Sequence, residues 1–158
     1  MKLVFDIETD GFLQGMTKVH CFATIDPESG EIRKFRNNII EGLEYLEKAE
    51  FLIGHNIKKF DIPALQKIYT FNPKGEVFDT LEYARRIWPN IIQTDNIEDK
   101  IPLELRGRHS LKSWGHRLSN LKGDYEGPWD VYSERMMDYC VQDVAVTLEL
   151  WKKIQINL

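Results

Sequence analysis

Leu3-Val4-Phe5-Asp6-Ile7-Glu8-Thr9 is the stretch on which the fold of this chain turns. It reads as a strand over residues 2–9, apolar except for two acids near its end. Residues two apart in a strand point to the same face. Asp6 and Glu8 therefore share a face with Val4, while Leu3, Phe5 and Ile7 fill the other. A strand apolar on both faces is usually a central one. Acids at the carboxyl end of a central strand lie where such sheets bind ligands. A solvent-facing edge strand is the competing reading, and the two-sided apolar pattern argues against it.

Working outward from this strand, Lys18 to Ile25 alternates toward a second one, with Val19, Cys21 and Ala23 on one face. Asp26-Pro27-Glu28-Ser29-Gly30 is a turn signal, and Glu31 to Arg36 reads as a third strand. The three suggest an antiparallel meander. Apolar residues at 39, 40, 43, 46 and 49 carry helical spacing. Phe51-Leu52-Ile53-Gly54 is a short buried strand, and a helix with Pro63 in its first turn runs to Tyr69. Val77-Phe78-Asp79 is a further strand, whose Asp79 or Thr80 can cap a helix over 81–88. Residues 89–107 read as a long polar loop, expected to be mobile. A helix from His109 to Leu118, a turn-rich link over 121–128 and a final helix over 134–153 capped by Ser133 complete the chain. A meander followed by alternating helices and strands predicts an α/β fold, a mixed sheet flanked by helices. At 158 residues, the whole chain, 1–158, is expected to form one domain.

Bulk properties narrow the function. The net charge of −4 argues against a DNA binder with a broad basic face. It does not exclude a metal-dependent nuclease, because four acids are balanced by two divalent ions. Cys21 and Cys140 stand in no metal-binding spacing, and are read as reduced, buried thiols of a cytoplasmic protein. No apolar run approaches the ~20 residues of a membrane span. The amino terminus meets Asp6 at once, so no signal peptide is expected.

Two other segments bring acids. Asp61, in His55-Asn56-Ile57-Lys58-Lys59-Phe60-Asp61, precedes Ile62-Pro63. Taken alone, its position favours capping that helix. Asn56 is placed to orient backbone near a site or to contact substrate. Tyr139 and Asp143 lie four apart on the last helix and so share a face. Their stripe, with Met136, Val146 and Leu150, is apolar, and an unpaired carboxylate there is costly. A buried arginine partner is one explanation. A metal ion explains it better once Tyr139 is included. Four carboxylates converging on one point would repel unless cations sit among them, and hard divalent ions with oxygen ligands are the natural partners. Two such ions, roughly 3.5–4 Å apart, are the usual device for cleaving phosphodiesters. The four histidines show no zinc spacing. The tryptophans at 88, 114, 129 and 151 are read as core rather than as base-stacking platforms.

These motifs resemble the DEDD 3′–5′ exonucleases, of RNase H-like fold. The signature is D-x-E, then an Asn-containing segment with a later Asp, then a final Asp preceded by Tyr or His. Tyr139-Cys140-Val141-Gln142-Asp143 matches the tyrosine version, and the histidine version would need His where Asp138 stands. A closer resemblance, over roughly residues 1–152, rests on Thr17-Lys18-Val19-His20-Cys21, on His109 to Leu118 and on Met136 to Val144. These are similar to the proofreading domain of T-seven-like phage family A DNA polymerases. The resemblance implies an enzyme acting on 3′ ends of single-stranded DNA with two divalent ions, Mg²⁺ or Mn²⁺. It implies that Asp6 bridges both ions, that Glu8 and Asp143 complete the first site, and that Asp61 holds the second through water. Tyr139, with Glu8, would orient the attacking water. Phe12 would wedge between the last two bases, and Thr9 and Asn56 complete the substrate-binding set. Expected partners are single-stranded DNA 3′ ends and, as a candidate, a separate polymerase subunit, with no membrane. The expected location is cytoplasmic, in the host cell if the chain is phage-encoded. No thumb, palm or fingers follow before Leu158. A free-standing exonuclease, half of a split polymerase and an excised domain all stay open. The competing readings are a 3′–5′ exoribonuclease on the same scaffold and a non-catalytic nucleic-acid-binding or scaffold module.

Overall fold

The computed structural model describes residues 1–119 and 124–158. Part of the link expected over 121–128 thus lies outside the described residues. Five strands, β1 (Lys2–Thr9), β2 (Val19–Ile25), β3 (Ile32–Phe35), β4 (Phe51–Gly54) and β5 (Glu76–Asp79), form one sheet in the order β3-β2-β1-β4-β5. β1 is central. It pairs antiparallel with β2 and parallel with β4, and β5 extends the parallel half. The sheet is therefore mixed, as the chain's pattern predicts.

Each face of β1 builds its own core. Leu3, Phe5 and Ile7 pack with α1 (Ile39–Glu47) and α2 (Ile62–Ile68) through Leu43, Leu46, Ala64 and Leu65. Val4 packs on the opposite face, with Cys21, Ala23 and Ile53, beneath Met136, Met137, Cys140 and Val144 of the long helix α6 (Glu134–Ile156). Full burial of one such large apolar side chain contributes about 1.5–3 kcal/mol. α6 begins at Ser133, whose hydroxyl accepts from the Met136 N–H at 3.1 Å. Asp79 likewise caps α3 (Thr80–Ile87), accepting from Leu81 N–H at 3.0 Å. A third apolar cluster around Trp114 joins α5 (Leu111–Arg117) to α3 and the distal half of α6.

The segment 89–107 departs from the loop expected of it. It contains a helix, α4 (Ile91–Glu98), and a 3₁₀ turn at Leu103–Leu105. Ile92 and Ile97 are exposed, so the helix has no apolar stripe by which a sequence reading could find it. It is held by Ile91, buried in the Trp114 cluster, and by one buried residue pair. Asp95 takes both Nε and Nη2 of Arg117, at 2.9 and 2.8 Å, and accepts from Gly107 N–H at 2.9 Å. The partners are 12 and 22 residues away in sequence. Among the described residues, no helix is long and apolar enough to cross a membrane.

Candidate active site

β1 outruns its parallel neighbour. The β1–β4 pairing ends at Val4–Ile53, and the β1–β2 ladder shifts register between Glu8 and Thr9. Asp6 and Glu8 thus lie where the sheet opens. β4 ends at Gly54, where a side chain would collide with Ile57: its Cβ would lie 2.2 Å from Ile57 Cγ2. Asn56 then takes a left-handed conformation, φ 61°, and residues Ile57–Asp61 form a π turn. Such turns are uncommon and occur often at functional sites. Asp79 supports it by accepting from the N–H groups of Asn56 and Lys58, at 2.8 and 3.1 Å.

The π turn delivers Asp61 to β1. Its side chain makes no capping bond to α2, contrary to the capping role its position suggests. It accepts instead from the N–H of Ile7, at 3.1 Å. Across the sheet, α6 delivers Asp143 and Tyr139. The Asp6 and Glu8 carboxylates come within 4.8 Å of each other, and both feel the charges of Asp143 and Asp61. The structure therefore brings together all five acidic and phenolic groups expected to converge.

Their electrostatics are those of like charges forced together. Burial first, then neighbouring carboxylates, hold Asp6 well above the usual carboxylate range and push Glu8 up to about 9. Asp61 rises to about 8, mainly through burial, against the pull of the Ile7 N–H. Asp143 rises to about 7 by burial, partly offset by the hydrogen bond from the Tyr139 hydroxyl. Tyr139 is itself pushed up, by burial and by Asp143, and stays a neutral phenol at physiological pH. Among the described residues, no lysine or arginine forms an ion pair with any of these four acids. Four carboxylates with no ion-paired lysine or arginine among the described residues form an oxygen-rich donor set that fits hard divalent ions. Cys140 also faces it, donating to the Asp6 carbonyl oxygen at 3.2 Å. Burial raises the thiol's pKa, so in the ion-free protein it is a neutral donor.

A cleft of about 580 Å³ opens beside the acids, lined by Glu8, Thr9, Phe12, Asn56, Phe60 and Trp129. Its size is within the range of small-molecule sites. Phe12 stands at its mouth 87 % exposed, an unusual setting for a phenylalanine. The loop that presents it is pinned from two sides. Asp10 accepts from the backbone of Thr17 and Lys18, at 2.8 and 3.1 Å, and from the Thr17 hydroxyl. Lys67 Nζ on α2 donates to the carbonyls of Leu13 and Gln14, at 2.8 and 3.1 Å. Thr9 bonds the Gly11 carbonyl at 2.7 Å and shapes the turn before Phe12.

Trp129 corrects the reading of all four tryptophans as core. Trp114 is fully buried, but Trp129 is 38 % exposed and lines the cleft. It meets the rings of Tyr125 and Tyr139 edge-on, and its carbonyl bonds His20 Nε2 at 2.7 Å. The segment around it is irregular, and no periodicity marks Trp129 or Phe60 as cleft residues.

The comparisons with known proteins fit this geometry. The RNase H superfamily model matches residues 3–155. The DNA-directed DNA polymerases of Enterobacteria phage T3 and Escherichia phage T7 are 32 % and 31 % identical over 96 % of this chain. The chain spans about a quarter of the length of these relatives, matching 26 % of each. Among solved structures, one described as the apo form of a nuclease superposes with a TM-score of 0.70 at 19 % identity, covering 99 % of this chain and 72 % of its own. Brucella melitensis NrnC with bound Mg²⁺ gives 0.66 at 19 % identity, covering 99 % and 73 %. At that identity the likeness shows the fold, which is the mixed sheet described above. The chain belongs to the RNase H superfamily and is related, over nearly its whole length, to part of the phage DNA-directed DNA polymerases.

Proposed function

We propose that this chain hydrolyses single-stranded DNA from the 3′ end, releasing 5′-mononucleotides, as a proofreading-type 3′–5′ exonuclease. The observation that carries this reading is the convergence of Asp6, Glu8, Asp61 and Asp143, with no ion-paired lysine or arginine among the described residues, beside a cleft walled by Phe12 and Trp129. The relationship to DNA-directed DNA polymerases supports DNA as the substrate.

Asp6, Glu8, Asp61 and Asp143 would hold two divalent ions, Mg²⁺ or Mn²⁺. Bound there, such ions supply a water of lowered pKa and stabilise the oxygen that leaves. The protein's own groups do the rest. Tyr139, a neutral phenol, offers a hydroxyl that orients the attacking water together with the Glu8 carboxylate. Phe12 and Trp129 offer aromatic faces to the terminal bases, and base–aromatic stacking is worth about 1–3 kcal/mol per base. The pinned loop fixes Phe12 before substrate arrives, so little ordering cost remains at binding.

The test is incubation with end-labelled single-stranded DNA and RNA, with Mg²⁺, with Mn²⁺ and with chelator. Release of mononucleotides from the 3′ end of DNA, abolished by chelator, is expected. Release from the 5′ end overturns the polarity, and faster cleavage of RNA overturns the substrate.

A further inference from the structure

A second cavity, of about 480 Å³, adjoins the catalytic cleft and shares Asn56 with it. Its walls come from three places far apart in sequence: His55 and Asn56 after β4, Arg85 on α3, and Arg108 to Ser110 before α5. Its charge is opposite to that of the cleft. Arg85 and Arg108 are exposed, and neither pairs with a carboxylate among the described residues. Their close neighbours in the chain differ: Arg106 pairs with Asp99 and Arg117 with Asp95.

The frame behind these two arginines is fixed. His55 is held between Thr80 Oγ1 and the His109 carbonyl, both at 2.8 Å, and burial pushes its pKa down to about 4. It is thus a neutral strut joining the end of β4 to the wall before α5. His109 Nε2 bonds the Trp88 carbonyl at 3.0 Å, tying that wall to the end of α3. The Arg108 carbonyl accepts from Arg117 Nη2 at 2.7 Å. Two guanidinium groups are therefore carried on a braced backbone, beside an acidic cleft, in a chain of net charge −4.

Guanidinium groups suit phosphate through paired N–H donors, and they never lose their charge. A strand whose end enters the acid cleft meets repulsion along its own phosphates, and a nearby cation pair offsets it. We propose that this cavity is a phosphate subsite, where Arg85 and Arg108 hold a backbone phosphate of the substrate strand inward from the end being cleaved. Asn56 sits at the junction between this subsite and the cleft. The subsite rests on the cleft being the place where a strand end is cleaved.

Binding reads the subsite separately from chemistry. Fluorescence anisotropy with phosphorothioate oligothymidylates of two to eight nucleotides, in Ca²⁺, gives affinity against length. Wild type should gain affinity as inner phosphates are added. Arg85→Glu with Arg108→Glu should remove that gain, about tenfold on the longest strand, while Arg→Lys at both positions retains part of it. Each single Arg→Ala should flatten the salt dependence by about one phosphate contact. Unchanged melting temperatures would establish that the variants fold. Equal affinity of wild type and the double Glu variant at every length would overturn the subsite. Cleavage of thymidine 5′-p-nitrophenyl phosphate by wild type, which carries no inner phosphate, reports on the cleft alone. Its absence would overturn the reading of the cleft, while the anisotropy series still decides whether the arginines hold a strand.

Discussion

The carboxylate of Asp61 accepts a hydrogen bond from the backbone N–H of Ile7, the residue between the two acids of β1. Because β1 continues past the end of β4, that N–H has no partner in the parallel ladder. Asp61 thus satisfies the strand while adding a fourth carboxylate to the cluster. Asp61→Ala leaves a buried N–H unpaired and should cost about 1–3 kcal/mol of stability along with activity. Asp61→Asn keeps an acceptor oxygen and should keep most of the stability while losing activity. Urea denaturation of both variants, beside nuclease assays, separates the two roles. Equal stability loss in both would refute the hydrogen-bond argument.

The shifted carboxylates predict an inverted pH dependence in the ion-free protein. Asp6, Glu8, Asp61 and Asp143 all have folded-state pKa values above those of the unfolded chain. The folded state therefore binds more protons, and stability falls as pH rises from the unfolded values near ~4 through the folded ones. For Asp143, Asp61 and Glu8 that upper bound lies at about 7, 8 and 9. Melting temperatures in chelator should drop from pH 5 to pH 9, and millimolar Mn²⁺ should raise them most at the alkaline end. A flat profile unaffected by Mn²⁺ would count against the acid cluster as an ion site.

Asp6 and Tyr139 should fail in different ways. Asp6→Ala removes a carboxylate at the centre of the cluster and should abolish cleavage and weaken Mn²⁺ binding by calorimetry. Tyr139→Phe removes only the hydroxyl, so ion binding should persist while cleavage slows, by about tenfold or more. A fully active Tyr139→Phe enzyme between pH 6 and 9 would show that the phenol does not orient the water.

Phe12 and Trp129 predict a preference for frayed ends. Inserting a ring between bases requires unstacking, which costs a few kcal/mol per step. Single-stranded or mismatched 3′ ends should be degraded faster than blunt duplex. Phe12→Ala should raise KM with little loss of stability, because its ring is 87 % exposed. Equal rates on paired and unpaired ends would dismiss the wedge.

The ordering of α4 is also measurable. Asp95 and Arg117 are 4 % and 9 % exposed, and removing one partner of a buried pair typically costs about 3–5 kcal/mol. Asp95→Ala should destabilise the fold and speed amide exchange across residues 91–98. Exchange in wild type as fast as in an unstructured peptide would restore the loop reading of this segment.

Much of this protein was legible from its sequence because local periodicity sufficed. The two-sided apolar pattern of residues 3–7 determined the central strand and put Asp6 and Glu8 on the face of Val4. The spacing of Tyr139 and Asp143 on an apolar stripe determined that both point inward. Tertiary structure decided the rest, where partners distant in sequence replace local preference. Asp61 caps no helix because Ile7 offers a buried donor 54 residues away. α4 forms although its isoleucines share no face, because Arg117 fixes Asp95 and Ile91 alone joins the Trp114 cluster. Trp129 reaches the cleft through the packing of an irregular segment against Tyr139 and His20, and Arg85 and Arg108 line one cavity only because the folding of the chain brings α3 beside the wall before α5. Periodicity records which way a side chain points from its own element, but which donor, cation or cleft it then meets depends on the packing of other elements.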